Sequence, residues 1–289
     1  MARPQKPIPA PTPENLSPPD ANYSYFESAA DYPFGASVKG FSLANAAWLA
    51  DAALLAYGLG HVIGDKDFVT SKVEEAGLPG MQIEPFQKAG TACFVMSNPK
   101  YIIAAFRGTQ IDNPHLMIPN PVDFITDAKF FPDAQGIHTG FQEALAYIWN
   151  DVADFLTKQV QTSQRPVWFA GHSLGGALAT LAATAYGAAN VQGLYTFGSP
   201  RVGNAEFAGS FNISCVRVVH GNDVVTTVPP LIPFGYQHVG NPVVHIELGG
   251  DVVEEANQPI VFPNAIDHAP VYYASKLWNA LWNEDASVR

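Results

Sequence analysis

Apolar positions along the chain fall into two kinds of run. Short uninterrupted ones cover Thr91 to Ser97, Tyr101 to Phe106, Val167 to Ala170, Leu194 to Phe197 and Ile213 to Val219. Apolar on successive positions, they read as strands covered on both faces. Asn98-Pro99 divides the first two and spells a tight turn or hairpin. The longer runs are helical. Leu43 to Tyr57 is rich in Ala and Leu and free of Gly and Pro. From Phe141 to Val160, apolar residues recur at helical spacing: Leu145, Ile148, Trp149, Val152, Phe155 and Leu156. Leu174 to Ala189 predicts a helix of small residues. Val271 to Trp282 predicts a closing helix with Tyr272, Leu277 and Leu281 on its apolar side. Strands alternating with helices imply an α/β fold, a mostly parallel central sheet with helices on both faces. No internal repeat is present.

Two stretches imitate a membrane span. Trp168 to Ala189 carries no formal charge but is full of Gly, Ala and Thr, and Leu43 to Leu59 is short and interrupted by Asp51. Both read as core elements. Seven of the first twenty residues are Pro, so residues 1–22 are expected to form a Pro-rich, extended and mobile arm, with residues 23–289 as one domain. Asp112 to Pro121 holds three prolines around Leu116-Met117-Ile118 and reads as a surface loop with an apolar tip.

Composition narrows the partners. A length of 289 residues with 47% hydrophobic content suffices for one large core. The formal net charge of -11 repels phosphate backbones, which argues against nucleic acid and leaves apolar contact as the route to any lipid-water interface. Cys93 and Cys215 lie in strand-like runs and read as buried free thiols, with no disulfide framework and no Cys-based zinc pattern. The first residues lack the charged start and apolar stretch of a secretory signal, which makes cytoplasm the default expectation with secretion by another route left open, and a monomer the default state.

The candidate chemistry centres on Gly171-His172-Ser173-Leu174-Gly175. It fits the G-x-S-x-G nucleophile elbow, in which a serine stands on a sharp strand-to-helix turn. The helix that follows aims its N-terminus at the site, so the Leu174 N–H can face an oxyanion. A serine hydroxyl needs a base and the base an orienter, in chain order Ser, acid, His for this kind of site. Asp223 lies in a turn after the strand-like run Ile213 to Val219, where α/β sheets carry their chemistry. His268 sits in a late loop before the closing helix. His220, His238 and His245, with Asp251, Asp267 and Asp285, stay open as alternatives. Asp267 also reads as a cap or ion-pair partner of the last helix, and Asp251 as a hairpin-turn residue.

Taken together, residues 40 to 285 resemble the fungal-type (class 3) triacylglycerol lipase family. The resemblance is carried by Phe106-Arg107-Gly108-Thr109, by Asp123-Phe124-Ile125-Thr126-Asp127, and by His138-Thr139-Gly140-Phe141. It continues through Gly171-His172-Ser173-Leu174-Gly175-Gly176, the run Thr196 to Asn204, and Asp267-His268 followed by Tyr272, in the family's order. It implies the α/β-hydrolase fold, and Ser173, Asp223 and His268 as nucleophile, orienter and base. Thr109 and Leu174 are implied as oxyanion donors. No cofactor or metal is implied. The stretch from Gln110 to Pro121 departs from the family's short lid helix, so Leu116, Met117 and Ile118 stand as lid residues on their apolar character. The expected function is a lipase cleaving acylglycerol esters through an acyl-enzyme. The alternatives are a short-chain, feruloyl or phospholipid esterase, or a non-catalytic module on the same fold.

Overall fold

The computed structural model describes residues 5–19, 22–60, 65–78, 80–109, 132–255, 260 and 262–288. An eight-stranded sheet runs in the order β1 (Gln82–Lys88), β2 (Thr91–Ser97), β3 (Ile102–Phe106), β4 (Val167–His172), β5 (Val191–Phe197), β7 (Cys215–His220), β9 (Val243–Ile246) and β10 (Val252–Glu255). The pairs from β3 through β9 are parallel, while β1, β2 and β10 join antiparallel at the edges. Gly203–Asn204 (β6) and Tyr236–Gln237 (β8) form a separate two-stranded ribbon.

Alternation along each strand feeds two cores. On one face Ile103, Ala105, Trp168, Ala170, Tyr195 and Phe197 pack with α2 (Leu43–Leu55) and the last helix, α8 (Pro270–Val288). On the other, Ile102, Ala104, Phe106, Val167, Phe169 and Leu194 meet α4 (Thr139–Ala146), α5 (Trp149–Thr162) and α6 (Leu174–Tyr186). A sheet covered on both faces needs apolar residues at both parities, which is why these strands read as continuous apolar runs. The other helices among the described residues are α1 (Pro13–Leu16), α3 (Asp65–Glu75) and α7 (Ala205–Ser210), with a further short helical turn at Leu231–Phe234.

Three expectations change. The single helix expected from Phe141 to Val160 is two, broken at Ile148 (φ -122°, ψ -10°). The carbonyl of Ala144, in the last turn of α4, accepts the Thr91 hydroxyl of β2 at 3.0 Å. That bond ties the helix end to the sheet. Strand β1 escaped the sequence reading because Pro85 interrupts it; it is an edge strand, where a missing donor is tolerated. The arm expected to be mobile is docked. The Lys6 N–H donates to Asn279 Oδ1 at 2.7 Å and Asn279 Nδ2 returns a bond to the Lys6 carbonyl at 3.0 Å. The Tyr272 hydroxyl reaches the Pro9 carbonyl at 3.2 Å, and Leu16 is buried in the core. A Pro-rich backbone keeps its carbonyls free to accept, and α8 supplies the donors.

Cys93 and Cys215 are buried free thiols. Among the described residues no helix is long and apolar enough to cross a membrane.

Candidate active site

Ser173 follows β4 and caps α6 with φ 58° and ψ -132°, a positive-φ conformation that costs energy for any residue with a Cβ. Neighbours over-determine it. The Ser173 N–H donates to the Phe197 carbonyl of β5 at 2.9 Å, and the Gly176 N–H returns to the Ser173 carbonyl at 2.9 Å. Gly175 lets the first turn of α6 press on the end of β3, where a Cβ would collide with the Phe106 carbonyl.

His268 lies in the short turn Ile266–His268 that leads into α8. Its Nε2 is 2.8 Å from Ser173 Oγ, and its Nδ1 is 2.8 Å and 3.0 Å from the two oxygens of Asp223. A carboxylate only accepts, so Nδ1 carries the proton and Nε2 presents a lone pair to the serine hydroxyl. Asp223 is fully buried in the turn after β7. It also accepts the Val225 N–H at 2.9 Å and the Tyr273 hydroxyl at 2.5 Å. These donors replace the water that burial removed and hold the carboxylate's orientation. Gly198, at φ 56°, leaves the space: a Cβ there would lie 2.5 Å from Asp223 Oδ2 and 3.0 Å from His268 Nδ1.

The other candidates stand outside this chain of bonds, each with a bracing task. His220 Nδ1 lies 2.9 Å from the Asp267 carbonyl, His238 Nε2 2.7 Å from the Thr226 carbonyl, and His245 Nε2 2.9 Å from the Gly221 carbonyl. All three therefore hold the acid turn and the histidine loop. Asp267 joins the same two segments, accepting the Asn222 N–H at 2.8 Å rather than capping a helix. Asp251 sits in the turn between β9 and β10.

Sequence reasoning missed two residues. Tyr273, adjacent to the quoted Tyr272, supplies the hydroxyl on Asp223; the Tyr272 hydroxyl points instead to Pro9. Nothing in the pattern distinguishes the neighbours except their directions, about 100° apart on a helix. Tyr57 is the other. Its hydroxyl lies 2.8 Å from His172 Nδ1, and His172 Nε2 is 2.8 Å from the His268 carbonyl. Burial first, and then the neighbouring His268, push the His172 pKa well below the ordinary range, so this relay is neutral.

Gly108 abuts the elbow: a Cβ there would meet the Tyr57 hydroxyl and, at 2.7 Å, the His172 carbonyl. Thr109 follows it directly and is half-buried. The preceding Arg107 anchors this strand end through the Leu59 and Gly90 carbonyls. Leu174 begins α6, where its N–H has no partner within the helix. Leu116, Met117, Ile118 and the run Asp123 to Asp127 lie outside the described residues. Among those described, no cluster of His, Cys, Asp and Glu could hold a metal ion.

The family described as lipase (class 3) matches residues 103–232, which include the elbow and the acid turn. Over those residues the chain resembles the class 3 lipases. It is 42% identical over 112 residues to a secreted mono- and diacylglycerol lipase of Fusarium solani, covering 36% of this chain and 32% of that protein. It is 32% identical over 204 residues to a secreted mono- and diacylglycerol lipase of Malassezia globosa, covering 61% and 65%. The matches thus span from a third to just under two thirds of these relatives' own length. Among solved structures, the lipase of Rhizopus microsporus var. chinensis superposes with a TM-score of 0.61 at 28% identity, over 80% of this chain and 88% of that one. Lipase II of Rhizopus niveus gives 0.59 at 26%, over 80% and 95%. The fold is the α/β-hydrolase fold. The cytoplasmic default does not stand, because both sequence relatives are named as secreted mono- and diacylglycerol lipases.

Proposed function

We propose that this chain is a serine carboxylic-ester hydrolase that cleaves acylglycerols, with Ser173 as nucleophile, His268 as base and Asp223 as orienter. One observation carries the reading: an unbroken path of hydrogen bonds from Ser173 Oγ through both ring nitrogens of His268 to a buried carboxylate. His268 Nε2 takes the hydroxyl proton while Ser173 Oγ bonds to the ester carbonyl carbon. The carbonyl oxygen becomes an oxyanion held by donors of Thr109 and Leu174, each worth about 3–4 kcal/mol on the precedent of a comparable site. The C–O bond to glycerol breaks as His268 returns the proton to the leaving oxygen. A water, deprotonated by His268, then attacks the acyl-enzyme and releases the fatty acid. The arrangement needs no cofactor.

An interfacial substrate is supported by Ile232 and Phe262, which are 83% and 79% exposed. They flank the site in sequence, after Asp223 and before His268. The acid turn and the segment before His268 are joined where the Asn264 N–H bonds the Asn222 carbonyl at 2.7 Å. Large exposed apolar side chains suit contact with lipid. We assign the lid to Leu116, Met117 and Ile118 on their sequence alone.

The test is the initial rate on tributyrin through its solubility limit, beside mono- and diacylglycerol emulsions, with Ser173→Ala in parallel. A rate that rises when droplets form and vanishes in the variant is the expected result. Hydrolysis surviving in Ser173→Ala would overturn the assignment. Saturation below the solubility limit, with no rise, would point to a soluble ester instead.

A further inference from the structure

A cavity of about 510 Å³ lies against β7 and the acid turn, and its lining includes none of Ser173, Asp223 and His268. Its lining brings together Arg201, Arg217, His238 and His245 with the apolar Leu231 and Ile260. Arg217 is carried by β7 in the middle of the sheet, paired to Thr196 on one side and Val243 on the other, and is only 5% exposed. Arg201 is held from outside: its N–H bonds the Val228 carbonyl at 2.7 Å, and its Nη1 donates to the carbonyls of Thr227 and Pro229. Two arginines thus line one space, and the guanidinium is the cation whose planar donor edge suits a planar or tetrahedral oxyanion.

The local charge is felt by its own members. Burial lowers the Arg217 pKa to about 10, and Arg201 pushes in the same direction. Burial holds His238 neutral, and both arginines reinforce that. The overall charge of -11 does not cancel this, because exposed charges beyond about 10 Å are screened by salt whereas a cavity's own lining is not. The volume falls inside the range of about 300–1,000 Å³ typical of small-molecule sites. Leu231 and Ile260 give it an apolar wall.

We propose that this cavity is a second binding site, taking the oxyanion head of a fatty carboxylate between Arg201 and Arg217 with the alkyl chain along Leu231 and Ile260. The proposed hydrolysis would supply such a ligand as product, and only that source rests on the functional reading. The shared chemistry is an oxyanion, so free phosphate is the competing source. Because His238 and His245 link the cavity wall to the carbonyls of Thr226 and Gly221, an occupant would stiffen the turn that carries Asp223.

The experiment is thermal unfolding of the full chain at neutral pH with octanoate, with the neutral isostere octanamide, or with inorganic phosphate. It is repeated in Leu231→Glu and Arg217→Gln. Leu231 is half exposed at the mouth, so a carboxylate there competes with the ligand without disturbing the core. The expected result is a saturable rise in midpoint with octanoate, absent with octanamide and lost in Leu231→Glu. Should Arg217→Gln fold poorly, Leu231→Glu alone decides. An equal rise with octanamide, or an octanoate effect that survives in Leu231→Glu, overturns the site. A rise with phosphate alone, lost in Leu231→Glu, overturns the fatty-acid assignment and leaves the anion site. Binding is read without turnover, so it can succeed in Ser173→Ala and is independent of whether the esterase reading holds.

Discussion

At the residue scale, the site depends on groups that never touch substrate. Tyr273 donates to the same Asp223 oxygen that faces His268. Tyr273→Phe removes one charge-assisted bond, so kcat should fall by about 10- to 100-fold, the equivalent of roughly 1.5–3 kcal/mol, with KM little changed. Asp223→Asn should cost more, about 10⁴-fold in kcat, because an amide presents the wrong hydrogen-bonding pattern to Nδ1 and favours the unproductive tautomer. Steady-state kinetics on a soluble ester reads both, and circular dichroism checks that the fold survives. If Asp223→Asn retained most of its kcat, another acid would have to orient His268. That Ser173 stands at an elbow was legible because glycine spacing reports the strain directly. Tyr273 was not legible, since its task exists only once α8 lies beside β7.

At the scale of elements, helix α4 illustrates how a local signal can be correct in kind and wrong in extent. His138 begins it: the ring Nδ1 accepts the Phe141 N–H at 3.3 Å, and the ring stacks on Phe141 at 3.9 Å. Only neutral imidazole has that lone pair, and burial lowers the His138 pKa to about 4. The sign follows from linkage. The unfolded chain, with a histidine pKa near 6.5, binds the proton more readily than the native state. The stability contributed by this cap is therefore complete above about pH 6.5 and is lost as pH falls toward about 4. His172 and His238, both depressed by burial, act in the same direction. The unfolding midpoint should decline on acidification through that window, and His138→Asn, which keeps a capping acceptor that does not titrate, should flatten part of the decline. An unchanged slope would remove His138 from the account. The elbow helix makes a second element-level prediction. Gly175→Ala drives α6 away from the Phe106 carbonyl and shifts the Leu174 N–H, so kcat should fall by about 10²-fold or more while the triad itself is untouched.

At the scale of the whole molecule, Asp51 joins three distant parts of the chain. It is fully buried in α2 and accepts the Tyr23 hydroxyl at 2.8 Å, the Phe26 N–H at 2.6 Å and Trp278 Nε1 at 2.9 Å. Burial raises its pKa, with Lys6 pulling the other way. Asp51→Ala would strand three buried donors, so stability should drop by about 3 kcal/mol or more and the unfolding midpoint by roughly 10 °C. A loss below about 1 kcal/mol would mean that water replaces the carboxylate. The sequence marked Asp51 only as the residue that spoiled a membrane span, since its partners lie 25 to 227 positions away. What the chain alone determined is whatever follows from local order. Fully apolar strand runs declared a sheet covered on both faces, glycine spacing declared the elbow, and the order of serine, acid and histidine narrowed the partners. Four histidines follow the serine, however, and spacing could not separate them. The tertiary structure brings one of them, His268, within 2.8 Å of Ser173 while its other ring nitrogen meets a carboxylate, and that juxtaposition is what the proposed base rests on. The same holds for the docked N-terminal arm and for the two arginines that share a cavity. Hydrogen bonding and charge act over a few ångströms in space, and sequence separation does not measure that distance.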